Sequence, residues 1–171
     1  ATMDYDKAAP YMVNKMGAIV VPADLGSIGP KFNNGDVDVC YMSGVGYGPF
    51  ELNRGIANNG GVIKAPLAQA TFQVMVRHAS FPAEFSKQSR DYWAANFDKA
   101  LAAVKKADAQ IPSSKWIDIS PDTLVGWDSL FQDVRVELKA KGAYSGSMLS
   151  TMKKVRCAKD KTRAECADSR E

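Results

Sequence analysis

The chain has 171 residues, of which 46% are hydrophobic and 24% are charged, the balance of an ordinary globular protein. No apolar run reaches the roughly 18 residues of a membrane span, and the first residues lack the basic and apolar regions of a signal peptide. The net charge of +3 comes from residues 153–171, which hold seven basic and four acidic side chains. Because nucleic-acid-binding proteins usually show a basic face through the whole fold, we expect no nucleic-acid partner.

The first part of the chain mixes helix and strand patterns, and we expect a small α/β lobe over residues 1–66. Its densest pattern runs from Gly17 to Asp38 and predicts a compact βαβ step. Ligands tend to bind where the carboxyl ends of such strands open into a crevice. In chain order, the predicted elements are a helix over 4–16, a strand over 18–22, a helix over 24–34, and strands over 37–42 and 61–66.

The second part, residues 67–171, is expected to begin with a crossing strand and to continue with helices. Polar and apolar residues alternate over 68–79, which favours a long, half-buried strand. The remaining predicted elements are a helix from Pro82 to about residue 107, a short strand over 116–119, a helix that starts at Ser120-Pro121 and ends at Gly142, and a last helix over 145–155.

The cysteines bear on the C-terminal tail. Cys157 and Cys166 flank a short polar segment that has too little apolar surface to be held by burial. A disulfide between them would contribute about 2–3 kcal/mol in the chain-entropy model and would imply an oxidising compartment. Two free thiols or two metal ligands are the alternatives, although a single histidine and the lack of a CxxC motif disfavour zinc. Cys40 lies in an apolar run and is interpreted as a buried small hydrophobe.

Four short motifs in the βαβ step carry a family resemblance. They are Gly17-Ala18, Val21-Pro22, Phe32 with Gly35, and Asp36-Val37-Asp38. In this order and spacing they resemble the C-terminal lobe of TRAP-type periplasmic solute-binding proteins. Ser27, Gly29 and Val39 stand where that family has Glu, Tyr and Gly. With the cysteine-flanked tail, these departures are more similar to the AdeT-like solute-binding proteins, some of which are labelled components of RND-type drug efflux.

The resemblance implies a fold, a location and partners. The fold would be α/β, a periplasmic-binding-protein type II-like lobe with a helix-rich C-terminal half. The chain would correspond to the C-terminal half of a two-lobed binder, without the N-terminal lobe. It would be processed by removal of a signal peptide and would act in the periplasm. Its partners would be a small-molecule solute and a membrane transporter or efflux subunits.

In a two-lobed binder the ligand lies between lobes that close over it by hinge motion. We therefore expect ligand contacts after the strands predicted over 18–22 and 37–42, and from a polar position on the crossing strand. The candidate ligand-binding residues are Asp24, Ser27, Tyr41, Ser43 and Arg77.

Alternative roles stay open for these residues. Asp24 and Ser27 would either favour an anion at a helix start or cap that helix. Tyr41 would either contact a ligand or lie in the core. Arg77 would either bind a carboxylate with bidentate geometry or lie on a solvated strand face.

Two functional hypotheses follow. The first is a periplasmic solute-binding protein, or its C-terminal half, that captures a small solute, with anions among the candidates, for a membrane transporter. The second is a non-catalytic accessory or interaction protein of a membrane or drug-efflux complex that keeps the binding-protein fold. An enzyme is not expected: a Cys40–His78–Asp triad can be written down, but nothing in the sequence brings it together. We expect no catalytic residue, no cofactor and no metal ion.

Overall fold

The computed structural model describes residues 1–56, 59–65, 67 and 74–170. These residues form a mixed α/β protein that is mostly helical, with two parallel sheets of two strands each. The strands are β1 (Thr2–Met3), β2 (Pro22–Ala23), β3 (Val62–Ile63) and β4 (Trp116–Ile117). The helices are α1 (Ala9–Lys15), α2 (Ile28–Asn33), α3 (Asn53–Ile56), α4 (Phe85–Ala95), α5 (Phe97–Asp108), α6 (Pro121–Ala140) and α7 (Gly146–Lys159). Short 3-10 turns occur at Gly44–Gly46, His78–Ser80, Ser113–Lys115 and Ala164–Ala167.

Contacts within the chain group it into two compact units, and each is described by itself. Unit 1 consists of Ala1–Met42 together with Ile119–Glu171, and unit 2 consists of Ser43–Asp118. Unit 1 is therefore built from both ends of the chain. The division into residues 1–66 and 67–171 stays a prediction, and the boundaries of these two units fall elsewhere.

The β1–β2 sheet of unit 1 is a parallel pair in which Met3 lies opposite Ala23. Helix α1 connects the two strands, so a βαβ step is present, but one strand earlier than the sequence pattern indicated. Helix α1 ends because Gly17 has a φ of +74°, a conformation that glycine adopts without strain. The strand predicted over 18–22 is therefore misplaced, since β2 begins only at Pro22.

The strand predicted over 37–42 is not formed. The N-terminal amine of Ala1 donates to the Val39 carbonyl, and the Tyr41 N–H donates to the Ala1 carbonyl at 3.0 Å. These two bonds have the pattern of a parallel strand pair, but both are made by a single residue, Ala1, so no strand is formed. On the opposite side of this segment, the Thr2 N–H donates to the carbonyl of Val21, the residue before β2, at 3.1 Å. β1 therefore lies between β2 and residues 39–41.

Two small apolar clusters lie among the described residues of unit 1. The first joins Met3, Ala23 and Ile28, with Cys40 partly buried against them. The second is formed where α6 packs on α1, and its buried members are Met12, Val134 and Leu138. The second cluster depends on residues that are far apart in sequence, so it fixes the C-terminal helices against the N-terminal segment.

Unit 2 departs most from the sequence prediction. The strand expected over 68–79 falls partly on residues 68–73, which lie outside the described residues. Over 74–77 the chain forms no strand and is exposed, and a 3-10 turn follows. The helix expected from Pro82 to about residue 107 is two helices, because α4 ends and α5 begins at Asn96. β3 and β4 pair in parallel within this unit.

The helix starts of the C-terminal segment are confirmed. Ser120 caps α6, with its Oγ accepting a hydrogen bond from the Thr123 N–H at 3.2 Å. Ser145 caps α7 in the same way, through the Met148 N–H at 3.4 Å. Both bonds join residues three positions apart. The cap at Ser120 was predicted from the sequence, whereas for the last helix only the range was predicted and not the capping role of Ser145. None of the helices in the described ranges combines the length and apolarity needed to cross a membrane.

The tail after α7 is closed by the disulfide that the cysteine spacing suggested. Cys157 near the end of α7 is bonded to Cys166, with their Cα atoms 5.7 Å apart. The free-thiol and metal-ligand alternatives for this pair are therefore excluded. Among the described residues of the tail, Glu165 is the single buried side chain.

Glu165 is 6% exposed and is surrounded by three guanidinium groups. Its carboxylate accepts from Arg135 of α6 at 2.7 Å, from Arg156 of α7 at 2.8 Å and from Arg163 at 2.8 Å. Burial alone would raise the pKa of Glu165, but the hydrogen bond from Arg156 and the charges of all three arginines outweigh it and lower the pKa. The disulfide and this cluster, here called the Glu165 cluster, attach the tail to both long helices.

Candidate functional site

The carboxyl edge of the β1–β2 sheet is the place where parallel-sheet geometry predicts a ligand. Because β1 lies between β2 and residues 39–41, the strand order reverses at β1, and ligands of open α/β sheets bind beyond such a reversal. Asp6 follows β1, Asp24 follows β2, and Tyr41 ends the third segment. These residues all belong to unit 1.

Asp24 and Ser27 are bonded to one another in the turn between β2 and α2. The Asp24 carboxylate accepts hydrogen bonds from the Ser27 N–H at 2.7 Å and from the Ser27 hydroxyl at 2.8 Å. In return, the Ser27 Oγ accepts from the Asp24 N–H at 3.0 Å. The hydroxyl bond, followed by the backbone bond, lowers the pKa of Asp24. Reciprocal bonding of this kind fixes a helix start, and it occupies the groups that were expected to meet an anion.

The Ser27→Ala substitution tests this capping role. We expect it to lower the free energy of unfolding by about 1 kcal/mol and to return the pKa of Asp24 towards its ordinary value. Urea unfolding and an NMR pH titration of the Asp24 carboxyl group measure the two effects. Ser86→Ala, at an exposed position of α4, is the matched control and should stay within about 0.5 kcal/mol. An unchanged pKa of Asp24 in the Ser27 variant would contradict this assignment.

Asp6 stands beside two tyrosines at the same edge. Its Oδ1 accepts from the N–H groups of Ala8 at 2.7 Å and Ala9 at 3.0 Å, which caps the start of α1. Burial raises the pKa of Tyr41 and that of Tyr144, and the negative charge of Asp6 raises both further. Both phenols therefore stay protonated at neutral pH and are able to donate a hydrogen bond.

The two tyrosine rings are half-buried against the α1–α6 cluster. Tyr41 thus contributes to the core of unit 1 while part of its ring stays accessible, so its two predicted roles are compatible. A half-exposed ring with a protonated hydroxyl offers a stacking surface and a polar contact to a small solute. We call Asp6, Tyr41 and Tyr144 the tyrosine site.

Ser43 and Arg77 belong to unit 2 and are described separately from the tyrosine site. The Ser43 Oγ accepts a hydrogen bond from the Val45 N–H at 3.4 Å, at the start of the Gly44–Gly46 turn. Arg77 is exposed and lies outside any strand, so the solvated strand face considered for it is not formed. The ligand contacts of both residues stay predictions.

The described residues show little that would support covalent or metal chemistry. They contain no group of three or more His, Cys, Asp and Glu side chains placed to hold a metal ion. Burial raises the pKa of Cys40, which disfavours the reactive thiolate. The side chain of His78 lies outside the described residues, so the Cys40–His78–Asp triad is not examined by the structure.

Asp6 and Tyr144 were not singled out from the sequence. Asp6 had a usable signal, because a carboxylate two or three residues before a helix start is a common cap. Tyr144 had no such signal in the sequence. It follows α6 in the chain, and it lies near Tyr41 only because α6 packs on α1.

Comparisons with known proteins agree on one family. The profile of the solute-binding protein AdeT 1/2 family matches residues 1–171. The chain is 32% identical over 163 residues to the probable solute-binding protein AdeT1 of Acinetobacter baumannii, covering 95% of this chain and 54% of AdeT1. It is 24% identical over 159 residues to the probable solute-binding protein AdeT2 of the same organism, covering 93% of this chain and 67% of AdeT2.

The chain therefore spans about half the length of AdeT1. No solved structure shows a significant match to it. The family profile covers the whole sequence, and AdeT1 aligns with nearly all of it. The chain belongs to the AdeT 1/2 family of solute-binding proteins.

Proposed function

We propose that the protein captures a small solute in the periplasm for a membrane transporter, with the tyrosine site contributing the contacts of unit 1. Membership of a solute-binding family supports the binding role, and solute-binding proteins of this kind typically act outside the cytoplasmic membrane. We further propose that unit 1 is a counterpart of a type II lobe of TRAP-type binders. The full binder would contain a second lobe, in keeping with the greater length of AdeT1.

The observation that carries this proposal is the tyrosine site at the carboxyl edge of a parallel sheet. A partly accessible aromatic pair beside one carboxylate suits a small polar solute with a ring or hydroxyl groups. An anionic solute has less support at this edge. The N–H groups of Ala8 and Ala9 at the start of α1 are bonded to Asp6, and that of Ser27 before α2 is bonded to Asp24, so these three N–H groups are not free to hold an anion.

A second function is favoured by the same capping bonds. In a protein that kept the fold but binds no solute, Asp24 and Ser27 would serve only to fix α2, as their reciprocal hydrogen bonds do. The protein would then act as an accessory or interaction partner in a membrane or drug-efflux complex. Neither function requires catalysis.

Solute binding is tested by thermal-shift screening of the chain against carboxylates, sugars and aminoglycosides, followed by calorimetry on any class that raises the melting temperature. We expect one class to bind, and we expect Tyr41→Phe and Tyr144→Phe each to weaken that binding about three- to tenfold, because each loses one hydrogen bond. Tyr92→Phe, at an exposed position of α4, is the control and should bind normally. If no class raises the melting temperature, the accessory function is favoured instead.

A further inference from the structure

Unit 2 has a thin core. Its buried apolar side chains among the described residues are Tyr47, Leu52, Ile56 and Ile111. Helices α4 and α5, which make up much of the unit, bury no side chain. A helix stabilised in a protein normally buries its apolar face. Within the described residues, α5 contacts the Gly44–Gly46 turn and α4, but these contacts leave the apolar side chains of both helices unburied.

The exposed apolar residues of α5 lie on one face. Phe97, Leu101 and Val104 recur at the spacing of a helical stripe, and their side chains are 64%, 39% and 43% exposed. Trp93, one turn earlier on α4, is 54% exposed. Contiguous apolar surface of this kind is typical of an interface between proteins. We call Phe97, Leu101 and Val104 the α5 stripe.

The residues beside the α5 stripe indicate what covers it. Asp98 and Lys105 are seven residues apart, about two helical turns, so they lie on the same flank of the stripe. In the part of the chain that the structure describes, neither side chain forms an ion pair. On the opposite flank, Ala100 is exposed and has a small side chain, whereas Ala107 is half-buried.

We propose that a second copy of this chain docks on the α5 stripe, with the two α5 helices antiparallel around a two-fold axis near Leu101. In an isologous contact, if one residue of the first copy contacts a second residue of the other copy, the same two residues also meet with the copies reversed. Antiparallel pairing brings matching flanks together, so Asp98 of each copy faces Lys105 of the other, and Phe97 of each copy packs towards Val104 of the other. A parallel pair would leave both charges without a partner.

Charge exchange tests this arrangement by sedimentation velocity of the 171-residue chain over a micromolar concentration range. We expect a concentration-dependent dimer. Asp98→Lys alone and Lys105→Asp alone should each weaken dimerisation about tenfold, because two symmetric attractions become repulsions. The double variant Asp98→Lys with Lys105→Asp should recover the original affinity. Leu101→Glu should leave the protein monomeric.

Controls separate the interface from general effects of charge. Lys161→Asp makes the same charge change as Lys105→Asp at an exposed position of the tail and should dimerise like the original chain. Circular dichroism of each variant reports folding, and rescue by the double variant does not depend on the Leu101 variant being folded. A monomer at every concentration would overturn the proposal, as would open-ended association or a dimer indifferent to the single charge changes.

Discussion

Replacing Cys157 and Cys166 together by serine is expected to lower the free energy of unfolding by about 2–3 kcal/mol, the loop-closure contribution of a disulfide that closes so short a loop. The bond joins residues nine positions apart at the end of α7. The segment that it closes contributes no buried apolar side chain among the described residues, so there is little burial to compensate for its loss. For a domain of this size a change of that magnitude is a large part of the total stability.

Urea unfolding with and without reductant measures this contribution. Reductant should destabilise the original chain by the same amount as the double substitution and should leave the serine variant unchanged. Cys40→Ser is the control for the loss of a thiol, and that variant should remain sensitive to reductant. A serine variant as stable as the oxidised original chain would show that the Glu165 cluster alone holds the tail.

Glu165→Ala is expected to destabilise the protein by about 3 kcal/mol, because removing one partner of a buried ionic cluster leaves the remaining charges uncompensated. Arg135 and Arg156 have side chains that are only 22% and 24% exposed, so water replaces the lost carboxylate poorly. Glu51→Ala is the matched control. Its carboxylate pairs with Arg54 at 2.7 Å but is 63% exposed, and the loss of such a pair should cost less than about 1 kcal/mol.

The Glu165 cluster also predicts how stability depends on pH. The pKa of Glu165 is lower in the folded protein than its ordinary value of 4.5. Its stabilising contribution is therefore complete above that value and is lost as the pH falls through the lowered pKa. Glu165→Gln should remove this part of the acid dependence. Asp168, whose pKa Arg170 lowers from 3.8 to about 2, should supply a separate loss in both proteins as the pH falls towards 2.

Urea midpoints measured between pH 2 and pH 7 distinguish the two contributions. The original chain should lose stability faster below pH 4.5 than the glutamine variant does, so the two curves should converge in acid. Parallel curves would mean that the pKa of Glu165 is the same in the folded and unfolded protein, which would contradict the lowered pKa.

Features of this protein that rest on neighbouring residues could be predicted from the sequence. The caps at Ser120 and Ser145 each bond a backbone N–H three positions away. The turn at Gly17 needs a positive φ, and the cysteines close a loop of nine positions. In each case the interaction lies within a few residues, so the local pattern contains both partners.

The strands and the site were decided over longer distances. The run over 37–42 is apolar enough for a strand, but whether it forms one depends on how far its hydrogen bonds continue along β1, and they stop at Ala1. A short apolar run does not specify its own partner or register. The exposure of the α5 stripe could not be predicted from the sequence, because periodicity shows which residues share a face and not what covers it.

The sequence by itself determined the family resemblance and the cap of α6, and it favoured the disulfide over its alternatives, since each depends on local spacing. The tertiary structure decided which residues meet. It joined Tyr41 to Tyr144 through the contact of α6 with α1, and it brought Arg135 to Glu165 across 30 positions. Both groupings form because the two ends of the chain pack together in unit 1. No local sequence pattern predicts this packing, because it depends on the burial of side chains that are distant in sequence.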